Sequence, residues 1–270
     1  MSNLTHRKSQ KIIGAGRLYF EITNALGVPS DGGGEVYLGD SPGFSLTVES
    51  ESLEDWSSDG PIAEKDVDVA IRVNRSFSLT TKNISFDNLA LFVIGQVADV
   101  TQASGSVQAE ALDGVQPGRY YQLGAGATNP TGVRGISAVV VEDDTPVTPV
   151  EFTEGDDYEV DLVLGRIYIV PGGAIAADTN LRVDYTRAAN TRSQVTTDNM
   201  GAKYGRLRYV EDATFGEPRD VYGPFVQLKP TGELAFKSRD TVQQMGWEVS
   251  VQSPPGGGSA LYIDGRPQAT

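Results

Sequence analysis

Apolar and polar residues alternate with period two along most of this chain. FSLTVES (44–50) sets Phe44, Leu46 and Val48 on one side of an extended backbone and Ser45, Thr47 and Glu49 on the other. KDVDVAIRV (65–73) sets Val67, Val69, Ile71 and Val73 against Asp66, Asp68, Ala70 and Arg72. Each pattern predicts a strand with one face in a core and one face wet, and the two strands pair naturally. The intervening ESLEDWSSDGPIAE (51–64) is longer than the two to about five residues of a tight hairpin turn, so it reads as a long bridging loop. Trp56, set among Glu54, Asp55, Ser57 and Ser58, reads there as an anchor into a partner. Further strands are expected at 12–23, 75–83, 202–212, 219–230, 232–240 and 243–253, the last with Trp247 in a core.

The period changes once. ISFDNLALFVIG carries Ser85 as an N-cap, Asp87 in the first turn and Gly95 to close the end, which predicts a short, mostly apolar helix. Such a helix must be buried against a sheet or a neighbouring subunit. From residue 104 the strands shorten and Gly, Pro and Asp turns multiply. Residues 104–190 are read as an inserted β-sandwich-like subdomain within a domain made of 1–103 and 191–270. Residues 1–12 and 254–270 are read as terminal arms, with PPGGGSA (254–260) as a flexible break. The fold class is therefore all-β: a sandwich or partly rolled barrel, one short flanking helix and the insertion.

Composition removes most chemistry. There is no cysteine, and His6 is the single histidine, so thiol catalysis, Ser-His-Asp catalysis and Cys- or His-based metal sites have no basis. Asp156, Asp157, Glu159 and Asp161 in GDDYEVD lack EF-hand spacing and read as the wet face of a strand. Glu142, Asp143 and Asp144 read as a turn that blunts an edge. The GAG of 14–16 lacks the third glycine and following helix of a dinucleotide fingerprint. No enzymatic activity, cofactor or metal is expected. No signal peptide or apolar span is visible, so a soluble protein without membrane contact is expected.

The net charge of −14 is unevenly spread: residues 31–70 hold eleven acids against one lysine, and 101–190 hold thirteen acids against five arginines. Such a surface does not grip phosphates, so contact with nucleic acid would be repulsive or transient.

GAGRLYFEI, YLGDSPGFSLTVESESLEDWSSDGPIAEKDVDVAIRV, SFSLTTKNISFDNLALFVIG and GELAFKSRD with MGWEVSVQSPPGGGSALYIDGRP resemble the major tail tube proteins of long-tailed bacteriophages. The likeness covers about residues 10–100 and 200–267 and is most specific in 37–95. It implies a structural virion protein, made in the host bacterial cytoplasm and built into the tail. Six copies would close a homohexameric ring with an inner β-barrel, and rings would stack head-to-tail into a tube. The tube would hold the tape-measure protein, conduct double-stranded DNA during genome ejection, and meet terminator and distal tail proteins at its ends. Under this likeness Ser45, Thr47, Glu49, Asp66, Asp68 and Arg72 would face the lumen. Glu51, Leu53, Trp56, Pro61, Ile62, Leu89 and Phe92 would bridge subunits or rings. An acidic wall repels phosphates over roughly 8–10 Å, so DNA would slide without sticking. Arg72 and Arg75 would pair with acids of an adjacent strand or subunit. The alternative is a carbohydrate-binding or adhesin β-sandwich on a phage or bacterial surface.

Overall fold

A computed structural model describes residues 11–30, 32–197 and 201–267. In chain order the elements begin with β1 (Gly16–Thr23), β2 (Val36–Tyr37), β3 (Gly43–Trp56), β4 (Lys65–Thr81) and α1 (Phe86–Phe92). Next come β5 (Gln96–Gln102), β6 (Gly105–Val115), β7 (Tyr120–Gln122), β8 (Ile136–Asp143), β9 (Tyr158–Asp161), β10 (Arg166–Ile169) and β11 (Thr179–Arg187). The chain finishes with β12 (Asn190–Thr196), β13 (Lys203–Glu211), β14 (Arg219–Thr231), β15 (Met245–Val251) and β16 (Tyr262–Gly265). The fold is all-β and sandwich-like with one short helix among the described residues, and no sheet closes into a barrel.

Two compact units share the chain: residues 1–98 with 195–270, and residues 99–194. The two crossings between them, β5 and β12, pair with each other.

The first unit is an antiparallel sheet in the order β2-β1-β13-β14-β15-β4-β3, with β16 also paired to β14. Its core takes alternate residues from each strand: Leu18 and Phe20, Phe77 and Leu79, Leu207, Val226 and Leu228, Met245, Trp247 and Val249. α1 covers part of this layer. Ser85 caps it by accepting from the Asn88 N–H at 3.2 Å. Buried Asn88 then donates to the Leu38 and Asn83 carbonyls at 3.0 and 2.9 Å, tying the helix to the turn before β3. The helix end differs from expectation. The left-handed residue is Ile94, at φ 54°, while Gly95 donates to the Ala90 carbonyl at 2.8 Å. Gly95 is needed for space instead: a Cβ there would lie 2.1 Å from the Thr196 carbonyl oxygen.

Leu89 and Phe92 also depart from expectation. Both pack on this unit's own core, and the Phe92 ring meets Trp247 edge-on at 6.0 Å. Both are half-buried there, and Phe86 is the aromatic that α1 exposes. Residues 232–240 form no strand, because Gly232 takes φ 72° and turns the chain out of β14. Of the proposed C-terminal arm, residues 262–265 lie along β14 as β16, and Arg266 clamps them through Asp220 and the Glu211 carbonyl. Residues 1–10 and 268–270 of the two arms lie outside the described residues.

The second unit packs two three-stranded antiparallel sheets, β6-β11-β8 and β7-β10-β9, around one core of Val115, Leu123, Val141, Ile167, Leu181 and Val183 among others. Glu159 is exposed on β9 beside buried Tyr158, as expected of a wet strand face, but Asp157, Asp161 and Asp143 hold turns. Asp157 is buried and accepts from the Thr153 and Ala174 N–H groups at 2.9 and 2.6 Å. Asp161 accepts from Leu164 N–H, and Asp143 from the Thr145 hydroxyl and then from Val150 and Thr145 N–H. These hydrogen bonds keep all three carboxyls below their ordinary range.

Candidate functional site

The most unusual feature is the hairpin of β3 and β4. β15 bonds β4 only along Ser76–Thr81, so from Arg75 to Lys65 the sole partner of β4 among the described residues is β3. From Val48↔Arg75 to Trp56↔Lys65 the two strands run on as a ribbon with no third strand among the described residues. Nine residues of β3 at ~3.3 Å each carry it about 30 Å past the sheet. Residues 51–56, expected in a loop, are strand paired with β4, and the connecting loop is only 57–64. Glu51, Leu53 and Trp56 therefore lie on the ribbon, and Pro61 and Ile62 lie at its tip.

Both faces of the ribbon are open. Every residue of β4 from Lys65 to Arg75 is exposed, as is every β3 residue from Ser45 onward. Phe44 does reach the core, stacking on Phe77 at 4.9 Å. Leu46 and Val48 do not, nor do Val67, Val69, Ile71 and Val73, which the alternation assigned to a buried face. None of the described residues of the unit covers the sheet beyond Ser76. Val69, Ile71 and Val73 keep half or more of their surface exposed, at 54%, 51% and 50%, and Leu53, Trp56 and Ile62 at 60%, 52% and 81%.

Two β-bulges redistribute the faces. The register steps from Glu51↔Arg72 to Ser52↔Ala70, leaving Ile71 extra, and from Asp55↔Val67 to Trp56↔Lys65, leaving Asp66 extra. Before the first step, Ser45, Thr47, Glu49 and Glu51 share a face with Ser78, Ser76, Asn74 and Arg72. After it, that face continues with Leu53 and Asp55 opposite Val69 and Val67. Asp68 falls on the other face, opposite Glu54, and continues the row that began with Phe44, Leu46 and Val48. The expected lumen set is thus split. Ser45, Thr47, Glu49 and Arg72 lie together, Asp68 lies behind them, and Asp66 sits in a bulge. A period of two cannot anticipate this, because one extra residue inverts all that follow it.

The charges answer one another locally. Lys65 Nζ reaches Glu54 at 2.7 Å and Asp68 at 3.1 Å, and lies 5.5 Å from the centre of the Trp56 ring. Hydrogen bonds to Glu54 and Asp68 raise the Lys65 pKa, and the Lys65 hydrogen bond holds Asp68 below the usual carboxylate range. Arg72 meets Glu51 at 3.0 Å, across the ribbon as expected. Arg75 makes no ion pair among the described residues.

The sequence model of a family described as "Protein of unknown function UCP028589" matches residues 11–255. The chain belongs to that family. The match takes in the ribbon, α1 and the whole of the second unit, and stops short of β16. No curated protein matches the chain.

A two-stranded ribbon is at best marginal in water by itself, and this one carries apolar residues on both sides. Burying eight half-exposed side chains (Val48, Leu53, Trp56, Ile62, Val67, Val69, Ile71 and Val73) is worth about 1 kcal/mol each, roughly 8 kcal/mol in all. The ion pairs, all solvent-exposed, add about 0–1 kcal/mol apiece.

Proposed function

We propose that this chain is a structural assembly subunit, the tube protein of a long-tailed bacteriophage tail. The observation that carries the reading is the ribbon: about 30 Å of paired strand, apolar on both faces and uncovered within its own subunit. The likeness of 37–95 to tail tube proteins supplies the partner, further copies of the same chain. Six copies form a ring, rings stack head-to-tail, and the ribbon of each copy is covered by its neighbours. About 8 kcal/mol per ribbon falls within the 4–15 kcal/mol range estimated for the cost of association, so each ribbon must be held by contacts on both faces to give a stable tube. A repeated head-to-tail contact supplies them.

The bulges alter how the channel would be lined. The face with Ser45, Thr47 and Glu49 continues across the hairpin with Asn74, Ser76 and Ser78. It is a hydroxyl and amide surface with sparse acids rather than a wall of aspartates. DNA would slide past it because Arg72, the cation on that face, is already paired with Glu51. The tape-measure protein would occupy the same channel before ejection, and terminator and distal tail proteins would close the two ends.

Negative-stain electron micrographs of the purified protein over a range of concentrations test the reading. Rings or hollow tubes are expected, favoured by high concentration. Dispersed monomers under every condition would overturn it.

A further inference from the structure

The second unit holds a cationic pocket in an acidic chain. Arg187, at the end of β11, and Arg192, in β12, border an open cavity of about 290 Å³. Thr101, Gln102, Thr128, Asn129 and Gln194 supply the rest of its polar wall, and no carboxylate lines it among the described residues. Neither arginine has an ion-pair partner among the described residues. Nε of Arg187 and Nη1 of Arg192 are buried without any acceptor. Buried donors in that condition are rare and call for an explanation.

The second arginine is held in place. Arg192 Nη2 donates to Thr131 Oγ1 at 3.0 Å and to the Gly132 carbonyl at 3.1 Å, which fixes the plane of the guanidinium. Arg134 donates to the carbonyls of Thr131, Val133 and Leu164 in the same region. Burial, then the charges of Arg192 and Arg166, push its pKa down. Among the described residues, Arg166 alone of Arg134, Arg166, Arg187 and Arg192 has an ion-pair partner, Asp161 at 3.1 Å, whose charge also acts on Arg134. Gathering like charges in a partly desolvated site is unfavourable unless an anion joins them. The guanidinium fork matches a phosphate or carboxylate.

The wall narrows the ligand further. It carries no aromatic ring on which a nucleobase could stack. Its hydroxyl and amide side chains suit a ligand rich in hydroxyls, and its volume exceeds that of a bare ion. We propose that this pocket binds small oxoanions, taking the phosphate or carboxylate of a monosaccharide-sized polar ligand between Arg187 and Arg192. The site is independent of tube formation.

Isothermal titration of the full chain at low ionic strength, with inorganic phosphate, glucose 6-phosphate, glucuronate and neutral glucose, tests it. Saturable one-to-one binding of the anions is expected, and none of glucose. Tighter binding of glucose 6-phosphate than of inorganic phosphate would bring the hydroxyl-bearing wall into the site; equal binding would assign it to the oxoanion alone. Arg187→Gln is the informative variant, because Arg192 also holds the 129–132 turn. It should weaken binding about tenfold or more while leaving the thermal midpoint unchanged, and Arg187→Lys should recover part of the loss. No saturable heat with any of the three anions would overturn the proposal, as would undiminished binding by Arg187→Gln.

Discussion

Trp247 sits at the centre of the first unit, 1% exposed, between Phe92 and the strands on either side of β15. Its truncation to alanine should cost about 3–5 kcal/mol, read as a fall in the urea midpoint at unchanged slope. A glycine-scale constraint lies nearby. Gly39 takes φ 92°, and a Cβ there would stand 2.2 Å from that of Asn83, so the turn before β3 accepts no side chain. In the second unit the informative residue is Asp157, whose carboxyl is lowered by the Thr153 and Ala174 N–H groups. A depressed carboxyl stabilises the fold above its unfolded pKa of about 3.9 and ceases to do so as pH falls through its lower folded value. Asp157→Asn should therefore melt below the parent at pH 7, and the gap should narrow as the pH is lowered beneath about 4. A gap that stays constant from pH 7 to pH 2 would show that the charge is irrelevant to this turn. The sequence placed Asp157 on a wet strand face, because DD preceding YEVD fits alternation. That it turns inward depends on two N–H groups, four residues before it and seventeen after, which no local pattern reveals.

At the scale of elements, the alternating strands and the capped helix were legible, since each rests on contacts within a few residues. Ser85 as N-cap is a local matter of this kind. The fate of the alternating faces was not. VDVAIRV reads as a half-buried strand, yet whether its valines are covered depends on where β15 stops, and β15 is far away in sequence. The bulges at Ile71 and Asp66 were equally hidden, because a bulge is a relation between two strands. The exposed ribbon gives a prediction that separates folding from assembly. Val69→Asp with Ile71→Asp removes apolar surface that the subunit itself does not bury. The monomer's unfolding free energy should move by no more than about 0.5 kcal/mol for each change, as for other surface substitutions. Rings and tubes should be lost, which sedimentation velocity would register as a shift to the monomer. A variant that still assembles would remove the ribbon from the interface. Loss of the cooperative unfolding transition would show instead that the ribbon's own fold needs those side chains.

For the whole molecule, the change of texture at residue 104 has a physical origin. Short strands and Gly, Pro and Asp turns are what two small sheets around a separate core require. The boundaries at 99 and 194 are fixed by something composition does not register, the pairing of β5 with β12, where Ser193 Oγ also meets Asp99 Oδ1 at 2.9 Å. Because both ends of the second unit meet in that ribbon, cutting there leaves them side by side. Its twelve buried core residues, Val115 through Tyr185, all come from within 99–194. An excised 99–194 fragment should therefore fold alone. At 0.05–0.15 kcal/mol per residue its stability should be about 5–14 kcal/mol. Cooperative thermal unfolding, followed by circular dichroism and coincident with loss of dispersed NMR amide signals, would establish this. The fragment should also retain the anion affinity of the full chain, since all the residues of that pocket lie between Val100 and Gln194. A fragment that folds cooperatively but has lost that affinity would separate the two claims, leaving the unit autonomous and the pocket dependent on the rest of the chain. A fragment with no cooperative transition would mean that its core is completed from outside the stretch 99–194.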